Sequence, residues 1–358
     1  MNAPTLASLF SQSELKAISG RFGDRNHPTA VMIGDPVVVD QSTTQIAATT
    51  DLAVAAVLKA DPQWLQRAKP RLLQTKDLTE PSGALAEIRA YGALLGSEFR
   101  VEANTAGGTR PSAEFEVFAL DNTQVTIEVH AKQLHGNEQA LLRKQAHDLN
   151  SKMDALEGTA NGPHVLVSTT EVYPFGRPDP AKPNDSDRTN AISKLCGRKD
   201  REHQAKPGIP FVLWLDFQDA AATLLGAGET APLSSAAGAI LSGVAWYAFY
   251  GWRGAPVLHS GDAPFGRQRI LTMEHDGRFR QGSNVAAVIL SFPEAIALLE
   301  NPRIDCALND SCRRLFLTIP AFDLARSLVN WGGKSLESIV EAYQQTIEAA
   351  AAVVGVVP

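Results

Sequence analysis

Five polar side chains stand where they could do chemistry together: Glu87, Glu114, Glu128, His130 and Lys132. Glu128, His130 and Lys132 fall at alternate positions, so an extended strand projects all three from one face. Asp121-Asn122 is a good hairpin turn, and it lays the segment carrying Glu114 against the segment carrying Glu128. Two carboxylates on adjacent strands of one face can share a hard divalent cation through their oxygens. A nearby lysine or histidine can orient a water molecule or stabilise developing negative charge. Glu116 points to the same side as Glu114 and is an alternative ligand.

The elements that must position these residues follow from periodicity. Leu85, Ile88, Leu94 and Leu95 lie near helical spacing, which predicts a helix over 83–95 bearing Glu87. A strand is expected at 100–103. Residues 114–120 alternate in polarity. Residues 124–132 alternate more cleanly, with Val125, Ile127, Val129 and Ala131 on one side and Thr126, Glu128, His130 and Lys132 on the other. A polar amphipathic helix over 137–156 and a strand over 164–170 come next, followed by a Pro- and Asp-rich loop over 174–187. Asp187 can cap a helix over 188–204. The apolar run Phe211-Val-Leu-Trp-Leu215 marks a central buried strand. Strands at 285–290 and 315–319 and a final helix over 336–353 complete the pattern, with Asn301-Pro302 as the turn that ends a sheet extension. Upstream lie a short helix over 13–19, with Ser11 or Ser13 as its cap, and an apolar, β-branched run at 31–39. Asp61-Pro62 opens a further helix through Trp64 and Leu65.

A helix with Glu87, a hairpin with Glu114 and Glu128, a helix and a buried strand: this order resembles the core of the restriction-endonuclease-like nuclease superfamily. Its hairpin motif is usually worded Pro-Asp, a gap, then Asp/Glu-x-Lys. Here it stands as Pro111-Ser-Ala-Glu114-Phe115, then Ile127-Glu128-Val129-His130-Ala131-Lys132. The resemblance runs from about Leu85 to Asp216. It implies an α/β fold: a restriction-endonuclease-like core over 81–220, with a mixed central β-sheet flanked by helices. Residues 1–80 become an N-terminal elaboration and 221–358 a C-terminal extension packed on the same domain. The function implied is a nuclease dependent on Mg²⁺ (or Mn²⁺) that hydrolyses phosphodiester bonds of DNA. Glu87, Glu114 and Glu128 would bind the metal, and His130 or Lys132 would assist the attacking water. On the helix over 188–204, Asn190, Lys194, Arg198 and Arg201 fall along one face. Lys194, Arg198 and Arg201 are candidate nucleic-acid contacts. Lys194 and Gln204 are candidates for the polar or basic residue that the superfamily often carries here. From Arg177 to Lys206 there are eight Lys or Arg against five Asp or Glu, a local excess suited to phosphate.

The sequence departs from the motif at two places. Glu114 stands where aspartate is expected, with the proline three residues ahead of it. His130 occupies the usual lysine position, and Lys132 lies further along the same face, roughly 6–7 Å away. Three readings stay open: His130 takes the lysine's role, Lys132 takes it, or the site is inactive. The last would make the chain a binding or assembly subunit that keeps the nuclease fold, alone, as a homodimer or with a partner. An unrelated hydrolase with paired carboxylates is a further possibility. There is no Gly-x-Ser-x-Gly elbow, P-loop or His-Glu-x-x-His motif to name one.

Bulk properties bound these readings. With 358 residues, 44% hydrophobic and 20% charged, the chain can bury a sizeable core. The net charge of −6 gives no global basic signature, so any nucleic-acid face must be local. Cys196, Cys306 and Cys312 form no disulfide framework, and the spacing of the last two lacks a matching pair for zinc. The first residues lack a basic segment followed by a long apolar run, which argues against a signal peptide. Residues 236–254 are apolar but broken by glycines, Ser242 and tyrosines, and read as a buried helix or strand pair. Within them, the aromatic stretch from Ser242 to Trp252 could stack bases, but suits a core element or dimer interface better. A cytoplasmic protein without membrane attachment is the expectation.

Overall fold

The computed structural model describes residues 3–19, 21–22, 25–34, 41–97, 99–104, 113–132, 175–196, 202–218, 225–236, 239–259 and 269–328, with positions 345 and 349. The expected elements at 137–156, 164–170 and 336–353 lie outside the described residues, apart from positions 345 and 349, which are helical.

Six helices lead into the sheet. These are α1 (Pro4–Ser8), α2 (Gln12–Ile18), α3 (Pro28–Ile33), α4 (Gln41–Ala60), α5 (Pro62–Leu72) and α6 (Thr79–Leu95). The start of α2 is fixed by a reciprocal cap, with Ser11 Oγ accepting from the Glu14 amide and the Glu14 carboxylate accepting from the Ser11 amide. The start of α5 is fixed by Asp61 Oδ1, which accepts from the Trp64 amide at 2.9 Å, with Pro62 in the first turn. The apolar run at 31–39 begins inside α3, which Gly34 ends with φ at 101°. Helix α6 is buried nearly all round, and α4 packs on it closely. A Cβ at Gly92 would stand 2.5 Å from Ala53 Cα, so this crossing admits only glycine.

The central sheet has six strands: β3 (Arg100–Ala103), β4 (Phe115–Phe118), β5 (Gln124–Ala131), β6 (Phe211–Asp216), β11 (Ala287–Ser291) and β12 (Ile296–Glu300). Three minor hairpins supply the intervening numbers: β1 (Arg21–Phe22) with β2 (Arg25–Asn26), β7 (Leu233–Ala236) with β8 (Ala239–Ser242), and β9 (Pro256–His259) with β10 (Arg269–Thr272). Across the central sheet the order is β12-β11-β6-β5-β4-β3. Strands β3, β4 and β5 form an antiparallel meander, β5, β6 and β11 run parallel, and β12 returns antiparallel. The Asp121-Asn122 turn joins β4 to β5, with Asn122 at φ 61° and Asp121 Oδ1 accepting from the Thr123 amide. Asn301 ends β12 as expected, its side chain donating to the Val285 carbonyl at 3.0 Å.

Both sheet faces are covered. Val125, Ile127, Val129, Val212 and Trp214 share one core with α4, α5 and α6. Phe211, Leu213, Leu215, Val288 and Leu290 share the other with α7 (Asp187–Cys196) and α8 (Val244–Tyr250). Every residue of β6 is buried, as its unbroken apolar run predicts. Helix α8 is buried along its whole length, so the aromatic stretch is a core element, unable to stack on bases from the surface.

Two local expectations change. Residues 315–319 belong largely to a helix, α9 (Asp310–Leu317): Asn309 caps it by accepting from the Cys312 amide, and Cys312 and Phe316 point inward at helical spacing. A short apolar run fits a strand and a helix face equally, and the cap decides. The cap of α7 comes from Ser186, whose Oγ accepts from the Thr189 amide at 3.0 Å, while Asp187 faces His259. The described part of the helix runs to Cys196, Glu202–Gln204 forms a single 3₁₀ turn, and residues 197–201 of the expected helix lie outside the described residues.

Candidate functional site

Glu128 lies in the middle of β5, between β4 and β6, and is fully buried. Phe115 pairs with Ile127 in the β4–β5 register; continued by one residue, that register sets Glu114 opposite Glu128. The two carboxyl groups face each other, so that ionising both at once is disfavoured. Glu114 Oε2 accepts from the Val129 amide at 2.9 Å. Burial first, and Glu128 second, push the Glu114 carboxyl up to about 9. His130 follows on the same strand face, with Nε2 3.8 Å from Glu128 Oε1. Lys132 is half-buried just past β5, and its amide donates to the Asp216 carbonyl at 2.7 Å. The structure therefore brings Glu114, Glu128 and His130 together at the hairpin.

Glu87 approaches from α6 but is engaged elsewhere. Arg71, from α5, donates from Nη1 to Glu87 Oε2 at 2.6 Å and from Nη2 to Oε1 at 2.8 Å. Its Nε donates to Glu80 at 2.9 Å. Burial raises the Glu87 carboxyl, Arg71 pulls it down and the neighbouring Glu114 pushes it further up. Glu87 thus feels Glu114 while both its oxygens are occupied by the guanidinium. Among the described residues, no group of three or more His, Cys, Asp or Glu side chains could hold a metal ion.

No protein family, no curated protein and no solved structure matches this chain. The geometry alone must carry the functional reading.

Of the expected nucleic-acid contacts, Lys194 is exposed on α7, and Arg198 and Arg201 lie outside the described residues. Glu116, the alternative ligand, is held at the surface by Gln124 and Lys206. A cavity of about 140 Å³ between α7 and the β9–β10 hairpin is lined by Lys182, Asn190, Cys196 and His275 among others, and by none of the hairpin residues.

Two arginines escaped the sequence reading. Arg71 had no visible relation to Glu87, since the two meet only through the packing of α5 on α6. Arg89 leaves α6 on another side and forks onto Asp216 at the end of β6, at 2.9 and 2.8 Å, with both side chains buried. A signal for it existed. Glu87 and Arg89 are the only charged residues between Ser82 and Ser97, a stretch without a polar face, so both had to find buried partners.

Proposed function

We propose that this chain is a metal-dependent hydrolase of phosphodiester bonds acting on DNA, with Glu114 and Glu128 as its metal-binding pair. The observation that carries this reading is the meeting of a buried carboxyl group, Glu128, and a half-buried one, Glu114, on adjacent segments of the hairpin, where burial and Glu128 raise the Glu114 carboxyl. Such a pair takes either a proton or a cation, and a divalent ion in place of the proton removes the repulsion between the acids. The donor set fits the ion. Mg²⁺ is commonly held by one or two carboxylates, with water and substrate phosphate completing its shell. Bound there, it would supply charge for polarising the phosphate and activating water. His130 stands where it can take or give a proton beside Glu128. The succession α6, β3, β4, β5, α7, β6, with an antiparallel meander followed by a parallel strand, supports the nuclease-like reading.

A second reading, a non-catalytic binding or assembly subunit, is favoured by one observation: Arg71 occupies both oxygens of Glu87. Cleavage of linear duplex, single-stranded and circular DNA, and of RNA, tests the two. Wild type and Glu128→Gln are compared in Mg²⁺, Mn²⁺ and EDTA. Metal-dependent cutting by wild type alone is the expected result. No cutting by folded wild type in either metal would leave the assembly reading in its place.

A further inference from the structure

We propose that the cavity between α7 and the β9–β10 hairpin binds a free pyrimidine nucleoside. The site stands apart from the acid pair, since none of the hairpin residues Glu114, Glu128 and His130 lines it. Its size limits the ligand. The cavity measures about 140 Å³, and an apolar cavity of about 150 Å³ takes up one benzene. A single six-membered ring therefore fits, and a fused purine overfills it. Ile192 from α7, Val257 from β9 and Met273 just past β10 line the cavity and are each buried, so a flat ring meets apolar side chains from three elements.

The remaining lining asks for a polar edge on that ring. The Thr272 amide donates to Asn184 Oδ1 at 3.2 Å, which fixes how the carboxamide faces and leaves its Nδ2 donors open. Asn190 Nδ2 donates to the Gly176 carbonyl at 3.2 Å, which leaves its Oδ1 open as an acceptor. Ser193 Oγ has no hydrogen-bond partner among the described residues. An open amide donor, an open carbonyl and a hydroxyl match the alternating carbonyl and N–H groups along a pyrimidine edge, where a plain hydrocarbon would leave them unsatisfied. The site is also held in shape before any ligand arrives. Arg269 donates to the Pro183 carbonyl at 3.2 Å and Thr189 Oγ1 to the Asn184 carbonyl at 2.8 Å, which ties the loop before α7 to both the hairpin and the helix.

Charge at the cavity selects against phosphate. Asp185 and Glu274 both line it, and Lys182 is its one lysine or arginine among the described residues. That lysine is 70% exposed and already lies 3.9 Å from Asp179. Two carboxylates against one partly offset ammonium repel a phosphate, yet accept hydrogen bonds from sugar hydroxyls. A nucleotide, or a base carried on a nucleic-acid strand, brings phosphate with it, and a nucleoside does not.

Calorimetric titration of the full chain with uridine, cytidine, adenosine, uridine monophosphate and an oligodeoxythymidine tests each step. Uridine or cytidine should bind, and adenosine at least about tenfold more weakly, because its second ring overpacks the cavity. Uridine monophosphate should bind about 2–5-fold more weakly than uridine, a gap that closes at high salt and in Glu274→Gln. Asn184→Asp keeps the acceptor for the Thr272 amide and removes the open donor, so nucleoside affinity should fall about tenfold with the melting temperature held. Ser193→Phe fills the cavity and should abolish binding in a protein that still melts cooperatively. No binding of either nucleoside at millimolar concentration, adenosine as tight as uridine, or undiminished binding by Ser193→Phe would overturn the proposal. Tighter binding of the oligonucleotide than of uridine, lost in Ser193→Phe, would overturn the free nucleoside as the occupant.

Discussion

Two buried acidic sites lie within a few residues of each other on the central sheet, and they are neutralised in opposite ways. At the end of β6, Asp216 is met by the Arg89 fork, and its oxygens also receive the Gln218 amide. At the hairpin, Glu114 faces Glu128, and the Glu114 carboxyl, raised to about 9, keeps its proton. The first is a finished structural pair: each charge has its counter-charge and the donors match the acceptors. The second holds two acids where one exchangeable proton does the neutralising. A site that must take up a cation has to be built like the second, because a resident arginine would exclude it. Glu87 shows the same contrast on one helix, two residues from Arg89, with a guanidinium that is partly exposed instead of sealed.

The comparison breaks most sharply at Arg89. Arg89→Met leaves Asp216 buried without its partner, and unfolding by urea should show a loss of about 3–5 kcal/mol. Replacing both residues, as Arg89→Met with Asp216→Leu, should recover much of that loss, as expected of a purely structural pair. Next in size is the effect of the ion. Mg²⁺ or Mn²⁺ at a hundredfold excess over its dissociation constant should stabilise wild type by about 2.7 kcal/mol in thermal unfolding, and should do nothing for Glu128→Gln. Equal stabilisation of both proteins would separate the ion from the acid pair.

The pH profile gives a gentler separation. The Glu114 carboxyl is raised in the fold, so between its ordinary range and about 9 the folded chain holds a proton that the unfolded chain has released. The metal-free protein is therefore fully stabilised by this group in acid, and loses that contribution as pH rises through the range to about 9. Melting curves from pH 5 to 9 in EDTA should fall for wild type and flatten for Glu114→Gln, whose amide can hydrogen-bond to Glu128 without the proton. The smallest effect belongs to the surface. Lys206→Ala, removing the exposed partner of Glu116, should cost under about 1 kcal/mol and leave metal response intact.

Much of the frame was legible because it rests on local rules. The cap at Asp61, the turn at Asp121-Asn122, strand β3 and the fully apolar β6 are each written in a few adjacent residues. The alternation of β5 gave its two faces correctly, but not that both are covered: Thr126 and Glu128 are as buried as Ile127 because β5 lies between two strands under a second layer of core. Glu114 and Glu128 could be paired from the hairpin register alone. The partners of Glu87 and Asp216 could not, because each comes from helix packing across long stretches of sequence. Residues 315–319 went astray because five apolar-rich positions carry no period long enough to choose between strand and helix.

The crossing of α4 and α6 at Gly92 has a further consequence for how the protein comes apart. With Ala53 seated directly on the glycine backbone, neither helix can loosen without uncovering the other. The leading helices are then no detachable appendage. A fragment beginning at Thr79 would present an open apolar groove to solvent, and would lose Arg71 with it. Amide exchange should show Ile46 to Val57 and Ala84 to Leu94 opening together, as one cooperative unit reporting global unfolding.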